Sequence, residues 1–334
     1  LDKQFTTLNE QISNVRPGSR KAVNIYVLEK AEPATKPSAQ MARVMGIGLV
    51  LGLMVGGGLA FLRDWRDQTV RSADEITAIL GVPILGAVPT IPRRGILRRG
   101  PRSRLAAHTR EFEAYRSIRT ALFFGSICEE AKTLLVTSPG PLEGKTTLVS
   151  NLGIAMARTG QKTLIVDADL RKPMQHRVFA KKGPQGKGLV DVLSGTATLD
   201  EAIRPTEIEG LDVLESGQIA PNPSELLGSE AFWALFERLK GRYDRILVDS
   251  PPVGIVADAQ ILASRCGLTL LVLRAQRSSR LVTQRAREAL STVSARVVGA
   301  VVNDVPKGDT RYSHYGSGAH SYYYGSHEPT VPRP

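Results

Sequence analysis

The sequence predicts an α/β protein: a doubly wound, mostly parallel sheet preceded by a transmembrane helix. Three observations predict it. Nineteen consecutive residues from Val44 to Leu62 carry no charge. From Thr133 onward, short apolar β-type runs alternate with stretches of helical spacing. The first of these units joins strand to helix through Gly144, Lys145 and Thr146. A length of 334 residues with 42% hydrophobic content leaves room for one large domain, its appendages and a real core. The net charge of +12 points to an anionic partner, either nucleic acid or a membrane surface. Cys128 and Cys266 stand far apart in apolar contexts and read as free thiols in a reducing compartment.

In chain order, a start at Leu1 rather than Met reads as a piece whose N-terminal part is missing. "VNIYVLEK" (23–30) has strand character, and the proline-containing stretch after it is expected to be extended. The uncharged run is long enough to span a hydrocarbon core at about 1.5 Å per residue. Its six glycines disfavour a buried helix of a soluble domain, because glycine weakens helices in water but is common in membranes. Gly48, Gly52 and Gly56 recur every fourth residue and offer a packing face for another helix. The run is too long for a signal peptide and no small-residue cleavage site follows it. Next come a short helix capped by Ser72 and an extended segment with Pro83, Pro89 and Pro92. "RRGILRRGPRSR" (93–104) reads as a basic linker, solvated or lying on anionic lipid.

"TLLVTS" (133–138) is a strand, "PGPLEGKTT" (139–147) a loop, and the helix that follows stops at Gly160. Loop amides and a helix N-terminus make an anion site. Lys145 supplies charge to the β/γ phosphates and the Thr146 hydroxyl can ligate Mg²⁺. The position that normally opens such a loop with Gly holds Pro139, leaving Gly140 to make the turn. "TLIVDADLRKP" (163–173) ends a buried-type strand in Asp167 and Asp169, with Arg171 following, and "DRILVDSPP" (244–252) ends another in Asp249. Ligands of parallel sheets bind beyond the strands' carboxyl ends, so these aspartates fit metal ligation, water ordering or acceptance of a hydroxyl proton better than helix capping. Strands at 211–216, 268–275 and 297–304, with helices near 224–240, 256–265 and 280–294, complete a sheet of P-loop NTPase type.

These residues resemble the bacterial tyrosine kinases attached to polysaccharide co-polymerases, over nearly the whole chain. The 138–147 loop resembles the family's Walker A, "LIVDADLR" its Walker A′ and "ILVDSPP" its Walker B. "GLVDVLSG" and "PNPSELL" are typical phrases of the family as well. "EAYRSIR" matches its Glu-x-x-Arg-x-x-Arg pattern at Glu113, Arg116 and Arg119, which in the family mediates ring assembly. The residues alone permit local ion pairing on that helix, beside an apolar stripe of Phe112, Tyr115, Ile118 and Leu122.

The resemblance implies an ATP- and Mg²⁺-dependent tyrosine autokinase that regulates capsular or exopolysaccharide polymerisation and export. It places ATP and metal at Lys145, Thr146, Thr147, Asp167, Asp169 and Asp249, with Gly140, Glu143, Gly144 and Arg171 around the phosphates. Thr146, Asp167 and Asp249 are the implied metal ligands, Asp169 the group that activates the acceptor hydroxyl, and Asn303 a reader of adenine. The implied partners are copies of itself in a ring, the polysaccharide machinery, a tyrosine phosphatase and anionic lipid. The implied layout is the end of an extracytoplasmic domain at 1–42, a transmembrane helix at 43–63 and a juxtamembrane linker at 64–104. A cytoplasmic kinase domain at 105–306 and a tail at 307–334 complete it.

Five of the eight tyrosines, Tyr312, Tyr315, Tyr322, Tyr323 and Tyr324, fall in that tail among Gly, Ser and His. No Val, Leu, Ile or Met from 311 to 328 offers a core, so the tail is expected to be flexible and, through the resemblance, to be the phosphoacceptor of a neighbouring subunit. Three rivals stand against this reading. An ATPase switch of the partitioning type places a second lysine early in the loop, and this loop has only Lys145. A chain-length regulator with a degenerate nucleotide domain has Pro139 as its only hint. A nucleic-acid binder would interleave its basic residues with aromatics, whereas here they concentrate in the linker.

Overall fold

In a computed structural model of the chain, the residues described are 5–7, 9–10, 39–66, 69–91, 110–123, 131–179 and 186–315. Two compact units divide it, Leu1–Arg66 and Asp67–Pro334. In the first, helix α1 (Ala39–Arg66) contains Arg43–Leu62, a span of mean hydropathy 2.1 with none of it buried. That is long and apolar enough to cross a membrane. The expected strand at 23–30 and the basic linker at 93–104 lie outside the described residues, as does Cys128. Cys266 is a buried free thiol.

The second unit opens with helix α2 (Ala73–Leu80). As expected, Ser72 caps it: the hydroxyl accepts from the Glu75 amide at 3.3 Å, and Gly81 ends it in the left-handed region at φ 71°. The proline-containing segment after it is strand β1 (Ile84–Pro89), which pairs in parallel with β8 (Val297–Val305). This corrects the expected start of the nucleotide domain at 105, since residues well before the linker form an edge strand of its sheet. Helix α3 (Arg110–Phe123) follows, then β2 (Thr133–Thr137), α4 (Lys145–Ala157) and β3 (Thr163–Asp167). Short helices α5 (Gln175–Phe179), α6 (Leu189–Leu193) and α7 (Leu199–Ala202) lead to strands β4 (Ile203–Pro205) and β5 (Leu211–Leu214). The expected helix at 224–240 divides into α8 (Pro223–Gly228) and α9 (Glu230–Lys240), because Ser229 stops one and caps the other. Strand β6 (Arg245–Asp249), α10 (Asp258–Ala263), β7 (Leu268–Arg274) and α11 (Arg280–Thr292) complete the alternation before β8.

The sheet order is β1-β8-β7-β2-β6-β3-β5-β4, and every neighbour pair is parallel except β4 with β5. Buried side chains alternate between its two faces. Leu135, Val166 and Val248 join the α9–α11 side, while Leu134, Val136 and Leu247 join the side covered by α3 and α4. The apolar stripe Phe112, Tyr115, Ile118 and Leu122 is wholly within the latter core. The chain order reverses at β2, with β7 on one side and β6 on the other, so the crevice beyond its carboxyl end is the switch point where such sheets bind ligands.

After β8 a short 3₁₀ helix (Thr310–Tyr315) carries Tyr312, which is 1% exposed. It belongs to the same core cluster as Val70, Ile76 and Ile84. The expected tail therefore does not start at 307, and Tyr312 is core rather than an accessible acceptor. Its packing partners lie more than two hundred residues earlier, which is why the local sequence around it looked unable to fold.

Candidate active site

The phosphate loop runs from Ser138 to Gly144 and delivers Lys145 as the first residue of α4. Gly144 sits at φ 98°, and a side chain there would collide with the Asn303 amide. Glycine at this position is thus required twice, by conformation and by space. The Asn303 amide donates to the Glu143 carbonyl at 2.9 Å, so Asn303, expected to read adenine, here braces the loop. Two more groups from the end of β7 do the same. Arg274 reaches the Leu142 carbonyl at 3.3 Å, and the Ser278 hydroxyl donates to Glu143 Oε1 at 3.0 Å. Ser138 donates to the Gly140 carbonyl at 2.6 Å, closing the turn after Pro139. Glu143 is buried, and burial raises its carboxyl to about 7 against the lowering effect of Ser278 and the Gly140 amide.

Asp167 and Asp249 lie opposite each other in the β3–β6 register, both fully buried. Gln175 holds the pair together: its amide N–H donates to Asp167 Oδ2 at 2.9 Å and its side chain donates to Asp249 Oδ2 at 2.9 Å. Ser150 fixes Gln175 in turn at 3.0 Å. The remaining oxygens, Asp167 Oδ1 and Asp249 Oδ1, are buried without a hydrogen-bond partner. Burial raises the Asp167 carboxyl, and the Asp249 charge raises it further. Asp249 is pushed up to about 6 by burial, against the pull of Lys145 and of the nearby Thr146 hydroxyl. Two orphaned carboxylate oxygens beside a hydroxyl and an anion cradle fit a hard divalent cation, which takes one or two carboxylates and completes its shell with phosphate oxygens. Gln175 escaped sequence reasoning because a glutamine eight residues past a strand end carries no local signal.

Asp169 is half-buried beyond β3 and accepts from the Lys172 amide at 3.0 Å. Arg171, expected at the phosphates, is instead held by Asp258 through two bonds of 2.7 and 3.0 Å, with Ser224 at 3.1 Å. Asp258 is fully buried, so this pairing satisfies a carboxylate that has no solvent. Away from the site, Glu113 and Arg116 pair with each other at 2.5 Å, half-exposed. Arg119 caps the end of α4 through the Ala155 carbonyl at 2.7 Å. Tyr322, Tyr323 and Tyr324 lie outside the described residues, and Tyr315 is described only by its backbone.

A family model described as an AAA domain matches residues 142–275. The putative tyrosine-protein kinase CapB of Staphylococcus aureus is 37% identical over 213 residues, covering 64% of this chain and 90% of the relative. Tyrosine-protein kinase YwqD of Bacillus subtilis is 37% identical over 214 residues, covering 64% and 86%. Longer relatives match further toward the N-terminus. Putative tyrosine-protein kinase EpsB of Ralstonia solanacearum is 31% identical over 94% of this chain, which spans only 43% of that relative. Among solved structures, the kinase domain of the Escherichia coli tyrosine kinase ETK superposes with a TM-score of 0.65 at 29% identity, over 72% of this chain and 97% of that one. The BceF tyrosine kinase domain gives 0.64 at 32%, over 72% and 100%. At these identities and coverages the chain belongs to the family of bacterial tyrosine-protein kinases.

Proposed function

We propose that the chain is an ATP-dependent tyrosine autokinase that acts between subunits on its tail tyrosines Tyr315, Tyr322, Tyr323 and Tyr324. Its setting would be a bacterial plasma membrane, where it regulates polysaccharide polymerisation and export with the kinase unit in the cytoplasm. The observation that carries this reading is the pair of partnerless buried oxygens on Asp167 and Asp249 beside Lys145 and Thr146. They suit Mg²⁺, which would neutralise charge on the β and γ phosphates.

The chain's own groups do the rest. The α4 amides and Lys145 hold the phosphates, while Asn303, Arg274 and Ser278 keep the loop from shifting. Gln175 keeps the two aspartates in fixed geometry. The tyrosine oxygen attacks the γ phosphorus as the bond to the bridging oxygen breaks, ADP leaves, and the phenolic proton passes to Asp169. A phenol with a pKa near 10 is almost fully protonated at neutral pH, so this acceptor matters. Assembly through Glu113, Arg116 and Arg119 would require Glu113 and Arg116 to exchange their mutual pair for partners on a neighbouring subunit.

The test is incubation of the full chain in detergent with ATP and Mg²⁺. Phosphotyrosine is expected, absent in Lys145→Met and absent when Tyr315, Tyr322, Tyr323 and Tyr324 are all replaced by Phe. Undiminished phosphotyrosine in the tail variant would remove the tail from the reading.

A further inference from the structure

Among the described residues of the Asp67–Pro334 unit, large apolar side chains are exposed at Leu142, Met174, Ile219, Ile255 and Leu281. Each follows a different strand: Leu142 after β2, Met174 after β3, Ile219 after β5, Ile255 after β6 and Leu281 after β7. Those strands are consecutive in the sheet, β7-β2-β6-β3-β5. At about 4.8 Å per strand their ends span roughly 19 Å. Single exposed apolar residues are ordinary, but here all of them stand on one edge, the carboxyl edge that holds Lys145, Asp167, Asp169 and Asp249. Two of the loops and the start of α11, which carries Leu281, are packed together, since a side chain at Gly254 would meet the Pro139 carbonyl and Val282.

Leu142 is 85% exposed and holds φ 62°, a conformation that glycine would adopt without strain. A leucine there puts an apolar group into solvent at the mouth of the phosphate loop at a cost to the backbone. Ile219 is 84% and Ile255 60% exposed, in the segments after β5 and β6, the two strands that flank β3. Nothing in phosphate or metal binding uses these side chains.

We infer that this apolar collar docks the tyrosine rings of residues 316–334 from a second copy of the chain, making Leu142, Ile219 and Ile255 specificity residues for the acceptor. The inference rests on the autokinase reading above. The occupant follows from what that segment can offer. Apart from its prolines, its apolar residues are Tyr322, Tyr323, Tyr324, Ala319 and Val331. Its charged residues are Glu328 and Arg333, which cancel, so charge steering contributes little and ring burial is left to carry recognition. A phenol whose oxygen reaches Asp169 brings its ring to the same carboxyl edge that carries these side chains. Three adjacent rings let one stay seated while its neighbour reacts.

The test uses the full chain carrying Tyr322→Ser, Tyr323→Ser and Tyr324→Ser, so that its own tail does not compete, and a synthetic peptide of residues 316–334. Ile219→Ser and Ile255→Ser are each expected to raise the KM for the peptide about tenfold, the effect of losing the burial of one branched side chain. Nucleotide affinity and kcat at saturating peptide stay unchanged. A peptide with all three tyrosines as Leu competes with the native one, and the version with Ser does not. An unchanged peptide KM overturns the collar, and so does a variant that loses oligomer in ultracentrifugation while keeping that KM, which would make the edge a subunit contact. Absence of phosphotyrosine from the native chain would instead overturn the autokinase reading itself.

Discussion

Glu143 is the least expected charge in the phosphate loop, a carboxyl buried between Ser278 and the Gly140 amide and raised to about 7. A raised folded-state value means the native protein binds more protons than the unfolded chain between about 4.5 and about 7. Stability from this group is therefore complete below that window and is lost as pH rises through it, by up to about 3 kcal/mol. Thermal unfolding of the nucleotide-free protein should show Tm falling from pH 4.5 to 7, with Glu143→Gln flattening the slope and raising Tm at pH 8. A Tm profile unaltered by that substitution would place the titrating group elsewhere. Next to it, Gly144→Ala would have to displace Asn303 while holding a positive φ. Nucleotide binding, followed by calorimetry, should fall at least tenfold while the fold persists.

At the scale of elements, β1 changes what counts as the kinase. Ala87 and Val88 are buried in it, and it covers the side of β8 that would otherwise be an open edge. Protein starting at residue 105 should unfold more than 10 °C below protein starting at 67 and should aggregate, as read by thermal melts and light scattering. The 3₁₀ turn after β8 has a similar role. Tyr312→Ala should cost about 3–4 kcal/mol in denaturant unfolding, whereas replacing Tyr322, Tyr323 and Tyr324 by Phe should leave stability unchanged. Mass spectrometry of autophosphorylated protein should find phosphate at 322–324 and none at Tyr312.

For the whole molecule, the proposed tail phosphorylation would couple chemistry to assembly. Each phosphate adds about −1.5 to −2 charge, so three on every tail would set neighbouring tails against one another. Tyr322→Glu, Tyr323→Glu and Tyr324→Glu together should shift the sedimentation distribution toward smaller species, with high salt restoring the larger ones by screening.

Much of this molecule is legible in its sequence for a local reason. Phosphate binding needs amides, a lysine and a hydroxyl on consecutive residues, so Gly144, Lys145 and Thr146 announce themselves. Strand-end aspartates follow runs such as "TLIVD" and "RILVD", and membrane helices are set by length and apolarity within a single segment. Local patterns therefore fix the alternation of strands and helices, the phosphate loop, the aspartates and the apolar helix. Long-range packing settles the rest: β1 completes the sheet, Tyr312 is core, Arg171 answers Asp258, and Gln175 joins Asp167 to Asp249. Each of these depends on partners far apart in the chain, whose pairing is chosen by packing and by the need to satisfy buried polar groups. No local window of sequence records that choice.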